Sequence, residues 1–206
     1  MTDIRAIPLL CVLWWIGPYY CPIPDSVNVS KKRDFTNYSI SFLHSVITVL
    51  WLLLMPTNMY PFIILVSQSY FIVDGLTVKN NRFLYIIHHI VSGLGIQGIM
   101  SYPYISERIL PVYFWGEVTN IISNADSLLQ FCNRNDCKLV NIVSYMFIRN
   151  VMGAYHLVYM AIHGDWSGGE YSIPFMILFF HYSILYFGSL YWSIKSIRKY
   201  RSTKDE

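Results

Sequence analysis

The sequence predicts an all-α integral membrane protein with about seven transmembrane helices. Three observations predict it. The 206-residue chain is 54% hydrophobic and only 13% charged, about half the charge of an ordinary soluble domain. With a mean hydropathy of +0.39 and 17% aromatic residues, it carries more apolar surface than a small soluble core could hide, and far too much for a disordered chain. The apolar residues also fall into seven runs, at 6–21, 38–56, 60–78, 83–102, 109–131, 139–162 and 173–194, most of them near the roughly 20 residues that cross a hydrocarbon layer about 30 Å thick.

The first run resembles a signal peptide only superficially. Arg5 is its sole basic flank, Pro8 and Pro18 interrupt it, and no small-x-small cleavage pattern follows. It is expected to stay as a peripheral helix. The runs at 38–56 and 173–194 are the most uniformly apolar. The run at 109–131 is the weakest, because Glu117, Asn120, Asn124 and Asp126 interrupt it; were it re-entrant, the count would fall to six. Connections are short and marked by Pro56-Thr57-Asn58, Lys79-Asn80-Asn81-Arg82, Pro103 and the stretch from Asp165 to Glu170, which leaves no room for a soluble domain.

Charge placement tests this count separately. With seven spans, one side collects Lys31, Lys32, Arg33, Lys79, Arg82, Arg134, Lys138, Lys195, Arg198, Lys199, Arg201 and Lys204, which is 12 of the 15 basic residues. The positive-inside rule then expects a lumenal N-terminus and a cytosolic C-terminus. The acceptor patterns at Asn28 and Asn37 would fall on the cytosolic side and stay unglycosylated. Four cysteines in this setting imply no disulfide framework, and Cys132-x4-Cys137 lacks partners at zinc spacing; no metal and no resident cofactor are expected.

Charged side chains inside a bilayer cost at least about 2.5–3.5 kcal/mol on insertion scales, so each calls for a reason. They are Asp74, Glu117, Asp126 and Arg149, joined by His44, His88, His89 and His181, with His156 further along its run. Counting 1.5 Å per residue places His44, His88 and His89 about 8–9 Å inside one face and Arg149 about 15 Å inside. Tyr85, His88, His89 and Ser92 share one helical stripe, and Glu117, Asn120 and Asn124 share another. Adjacent histidines lie about 100° apart, so one can face a cavity while the other bonds a neighbouring helix. The expected arrangement is a polar pocket open to the cytosol. Arg149 reads as a structural clamp paired with Glu117 or Asp74, and His44, His156 and His181 taken singly read as interhelical bonds. Trp14, Trp15, Tyr19, Tyr20, Trp115, Trp166 and Trp192 read as interface anchors.

These residues, in order, are similar to a known pattern: Phe42-Leu43-His44-Ser45, then Ser69-Tyr70-Phe71-Ile72-Val73-Asp74, Ile87-His88-His89-Ile90, Glu117-Val118-Thr119-Asn120-x3-Asn124 and Phe147-Ile148-Arg149. The stretch 35–195 resembles the TLC domain shared by ceramide synthases, translocation-associated membrane proteins and TLC-domain lipid-homeostasis proteins. Residues 1–34 would then be an added helix and basic loop, and 196–206 a basic tail. The resemblance implies a six-helix barrel around a lipid-sized cavity in an endoplasmic-reticulum-type membrane. It implies that the pair His88-His89 lies inside that cavity; in an acyltransferase His88 or His89 would take a proton from an amine or hydroxyl and Asp74 or Glu117 would fix the imidazole tautomer, with His44, Asn120, Asn124 and Arg149 as candidate lipid contacts, membrane lipids as partners and acyl-CoA as a substrate candidate. No nucleic-acid partner is expected. The ceramide synthase pattern of His-Asp followed by a second acid is missing after His88-His89, and Asp126 stands where the non-synthase branch often has Arg. A role in binding or modifying acyl lipids is the expectation, with ceramide synthesis disfavoured. The alternative is a seven-helix transporter or receptor-like protein with a His/Asp/Glu proton relay. A haem or di-iron protein ranks lower, since there is only one His-His pair.

Overall fold

The computed structural model describes residues 5–77, 83–101, 103–134, 137–164, 166, 168–169 and 172–202. About 88% of it is helical, and no strand occurs among the described residues. Lys79, Asn80, Asn81, Arg82, Asp165, Glu170 and Lys204, used above for loops and charge, lie outside the described residues, as do the side chains of Tyr85, Lys199 and Arg201.

Helix α1 (Ala6–Ile16) passes into a 3-10 turn over Gly17–Tyr20, where Pro18 lacks the N–H that an α-helix would need. Helix α2 (Lys32–Leu54) follows a 3-10 turn whose start is capped by Asn28, its Oδ1 accepting from the Ser30 N–H at 3.0 Å. It ends one residue before Met55-Pro56, since the residue before proline is driven out of the α region. After the turn Thr57–Met59 come α3 (Tyr60–Thr77), α4 (Phe83–Ser101) and α5 (Pro103–Phe131). Helix α5 starts at Pro103 rather than 109 and carries Pro111 within it. Its C-terminus closes with Asn133 at φ 58°, as the Arg134 N–H reaches the Leu129 carbonyl at 2.9 Å and the Asn133 N–H the Gln130 carbonyl at 3.1 Å. That is the hydrogen-bond pattern of a left-handed helix cap, in which Asn is among the few tolerated side chains.

The run at 139–162 is one helical path in three parts: α6 (Lys138–Ser144), a π-helical segment (Tyr145–Met152) and α7 (Gly153–His163). Helix α8 (Ser172–Ser202) continues past 194, so residues 196–202 extend the helix. Between α7 and α8, Gly164 has no alternative: a Cβ there would lie 2.1 Å from the Phe175 ring and 2.6 Å from the Met160 carbonyl oxygen.

Neighbouring helices close a ring in the order α2, α3, α4, α8, α6–α7, α5 and back to α2, with α1 outside against α3. Contact between α4 and α5 pinches this ring into two lobes. Polar groups share the interior with an apolar core that includes Ile63, Ile64 and Leu65, while large apolar side chains cover the outside. Buried positions include Thr36, His44, Ser45, Thr48, Ser67, His89, Glu117, Thr119, Asn124 and Asp126, whereas Leu54, Leu76, Ile162 and Phe187 are more than half exposed. Water would penalise such a surface. Among the described residues, three helices are long and apolar enough to cross a membrane: Val29–Leu54, Thr57–Leu76 and Phe175–Arg198. The chain is an all-α membrane protein.

Candidate functional site

The lobe between α2, α3 and α5 sets a layer of polar groups against an apolar cluster of Leu52, Ile63, Ile64, Val66 and Phe71. His44 is 1% exposed; its Nε2 lies 2.9 Å from Ser67 Oγ, and its ring stacks on Tyr70 at 4.0 Å between centroids. Thr48 and the Tyr113 hydroxyl also bond Ser67. From α5, Glu117 Oε2 accepts from Ser45 Oγ at 2.7 Å and lies 3.7 Å from His44 Nδ1. Two turns on, Asn124 donates to Ser41 Oγ at 2.9 Å. His44 and Asn124 are thus interhelical ties, and neither lines the cavity between α4 and α8.

The α3–α4 seam holds the second pair. His89 Nε2 meets Asp74 Oδ2 at 2.6 Å, and Tyr70 donates to the same oxygen at 3.2 Å. Gly75 permits this: its position lies so near α4 that a Cβ would come 3.3 Å from His89 Cβ. A carboxylate at this distance fixes which imidazole nitrogen carries the proton.

The other lobe encloses a cavity of about 130 Å³ among α4, α5, the π segment, α7 and α8. Its polar lining includes His88, Glu117, Asn120, Arg149, His156 and His181; Phe71, Val112, Met152 and Leu178 are among its apolar walls. His88 and His89, one residue apart, therefore serve opposite sides of α4. The His88 ring meets that of Trp192 edge-on at 5.4 Å, and its Nδ1 is buried with no hydrogen-bond partner.

Arg149 corrects the expected pairing with Glu117 or Asp74. Its Nε donates to Thr119 Oγ1 at 2.6 Å, and its Nη2 to the Gly116 carbonyl at 2.8 Å and to Asn120 Oδ1 at 2.6 Å. All three acceptors are neutral. Asn120 then passes the polarity on, donating to Glu117 Oε2 at 3.2 Å. The cause is local: Gly116 bares its carbonyl on the face of α5 that meets the π segment, and the planar guanidinium fits that row of acceptors.

Two anchors expected at the interface are half-buried and also pack inward. Trp14 donates to the Val66 carbonyl at 3.2 Å and abuts His44 and Tyr70 edge-on, while Trp192 meets His88. Tyr19 and Tyr20, at 80% and 81% exposed, remain on the outside. Sequence reasoning treated His156 and His181 as isolated and gave no role to Tyr182 or Tyr186, yet all four line the cavity. The available signal was their shared helical facing with Arg149 and with one another. Among the described residues no cluster of His, Cys, Asp or Glu could hold a metal ion.

The chain matches no family model and no curated protein.

Proposed function

We propose that this is a seven-span membrane protein of TLC-like architecture that binds an acyl lipid in the α4–α8 cavity and acts on it or reports its presence in membrane lipid homeostasis. The observation that carries the reading is the cavity itself: three histidines and an arginine set among Phe71, Val112, Ile148, Met152, Leu178 and Leu185. Apolar walls with a few convergent polar groups are the usual make-up of a small-molecule site, and intramembrane ionisable residues mark functional positions.

The closed six-helix ring with α1 outside supports the barrel that the residue pattern implies. In a seven-span topology the cavity reaches from His88, about 8 Å from the end of α4, to His156, about 27 Å along its own helical path. It would centre near the midplane, deeper than a pocket confined to the cytosolic half. If the protein is an acyltransferase, His88 is the base that faces the cavity. It would take the proton from an acceptor hydroxyl or amine as that atom bonds the acyl carbonyl of a thioester, and the departing thiolate would leave with a proton. His89, held by Asp74 on the opposite side of α4, would fix the rotation of the helix that presents His88.

Lipid analysis of membranes with and without the protein, with mass spectrometry of lipid that co-purifies with it, tests the reading. The expected result is an acyl lipid enriched by the wild type and lost with His88→Ala plus His89→Ala. Unchanged membrane lipids together with unchanged co-purifying lipid in that variant would overturn it.

A further inference from the structure

The guanidinium of Arg149 has five N–H donors. Its Nε and Nη2 are committed to Thr119, Gly116 and Asn120, which leaves the two Nη1 donors without a hydrogen bond among the described residues. Glu117, which also borders the cavity, is joined to Arg149 through the Asn120 amide, and its Oε2 accepts from Ser45 and lies near His44 on α2. A full positive charge therefore borders the cavity with only neutral groups in direct contact.

The π segment adds a second observation. Arg149 sits inside Tyr145–Met152, a full eight residues of widened helix that also supply Ile148 and Met152 to the cavity wall. Segments of this kind are rare and concentrate at functional sites. A third observation comes from the facing helix, where His88 lines the same cavity with a buried Nδ1 that has no partner. Tyr182, across the cavity, spends its hydroxyl hydrogen on the Gly153 carbonyl at 3.0 Å and is left with acceptor capacity only.

We infer that the cavity takes the head of a single-chain fatty acid by its carboxylate, with Arg149 Nη1 donating to one oxygen, His88 beside the other, and the chain leaving past the apolar walls through the cavity's open side. The inference rests on the acyl-lipid reading and narrows it to an anionic, single-chain ligand. Charge-assisted bonds from a guanidinium to a carboxylate are among the strongest hydrogen bonds available, and the low dielectric of this site strengthens them. A neutral ester or alcohol of equal chain length would fill the same apolar space yet leave the Nη1 charge unanswered.

The test uses the full chain purified in phosphatidylcholine nanodiscs, with a labelled fatty acid displaced by oleate, methyl oleate or oleyl alcohol. Oleate is expected to compete at least about ten-fold better than the two neutral analogues, the gap that one unanswered charge-assisted bond predicts. Arg149→Gln should bring the three to within about two-fold of one another, and His88→Ala should weaken oleate while keeping its lead. Since Arg149→Gln also removes ties to α5, thermal unfolding of the wild type gives a readout that needs no variant: oleate should raise the transition and methyl oleate should not. Equal competition by all three ligands would overturn the carboxylate assignment and leave the acyl-lipid reading standing. Displacement by none of them would overturn both.

Discussion

Single side chains divide the polar interior into parts that hold helices together and parts that face empty space. The Asp74–His89 contact at 2.6 Å belongs to the first kind. Buried hydrogen bonds to a charged partner contribute about 1.5–3 kcal/mol in soluble proteins, but interhelical bonds in membranes average well below that. Asp74→Asn is therefore expected to lower stability by about 1 kcal/mol. A double-mutant cycle with His89→Ala, followed by reversible unfolding in mixed micelles, should recover most of this as coupling; additivity within error would show that the pair is not interacting. Two glycines give a sharper contrast. Gly164→Ala drives a Cβ into the Phe175 ring and the Met160 carbonyl, so overpacking should cost about 1–3 kcal/mol or more. Gly93→Ala in α4 meets nothing within 4 Å and should be neutral or slightly stabilising, because alanine favours helix. Thermal transitions of the two variants, measured side by side, check the order. At this scale the sequence was informative about which residues are costly in lipid and much less so about what each one touches. Arg149 was visible as an intramembrane cation, but its acceptors are a backbone carbonyl, a Thr and an Asn, groups too common in sequence to single out. Trp14 and Trp192 show the same limit: an indole near a span end has an interface reading by default, and only packing shows that it lies against a histidine.

Helices were the most legible feature, since each apolar run has a helix in the structure and the breaks fall at proline, glycine or charge. Their ends were less so. Helix α5 starts at Pro103 because proline suits a first turn, whereas counting hydropathy placed the start beyond the charged Glu107 and Arg108. Helix α8 runs on to Ser202 because nothing in Lys195 to Ser202 breaks a helix once α8 has been started by packing. The π segment left no sequence trace at all. Its effect is on register: each residue in an α-helix turns the face by about 100°, so the widened stretch sets how Arg149, before its end, aligns with Gly153 and His156 after it. Gly153 fits this role, because a Cβ there would approach the Tyr186 ring to 3.1 Å. Deleting the exposed Val151 should convert the segment to regular α-helix and rotate α7 against α6 by about one residue's turn. The expected outcome is a folded protein that no longer retains co-purifying lipid, while deletion of exposed Leu139, near the start of α6, leaves retention intact. Equal loss in both deletions, or in neither, would detach the π segment from the cavity's function.

At the scale of the whole molecule, an outward apolar surface over a partly polar interior favours a bilayer as the solvent, and parity would then fix the ends. Seven crossings place the termini on opposite sides, whereas six place them together. The proposed odd count depends on α1, whose 11 residues and following 3-10 turn reach about 25 Å, short of a full crossing, but whose direction fits one. This helix lies along α3, with Trp14 donating to the Val66 carbonyl. Further on, Pro18 and Tyr19 border one crevice with Asp74 on α3 and with Lys32 and Arg33 at the start of α2. Helix α1 thus runs parallel to α3, as a first and a third crossing must. Helix α5, the run whose span looked doubtful, is a continuous 29 residues, about 43 Å at 1.5 Å each and long enough to cross. Its polar residues Glu117, Asn120, Thr119 and Asn124 point at α2, Arg149 or the cavity, which explains how so interrupted a sequence can be a membrane helix. Basic side chains would then hold one orientation, with 12 of the 15 on one side. The exposed native Cys132, or a single cysteine replacing Asp25, Asn58 or Gly169, in a background where the other native cysteines are removed, should label from alternate sides. In sealed microsomes, a membrane-impermeant maleimide added outside should reach positions 25 and 132, and reach 58 and 169 only after permeabilisation. Labelling of 132 and 169 from the same side would remove the sixth crossing, and labelling of 58 and 132 together would make α5 re-entrant and reduce the count to six.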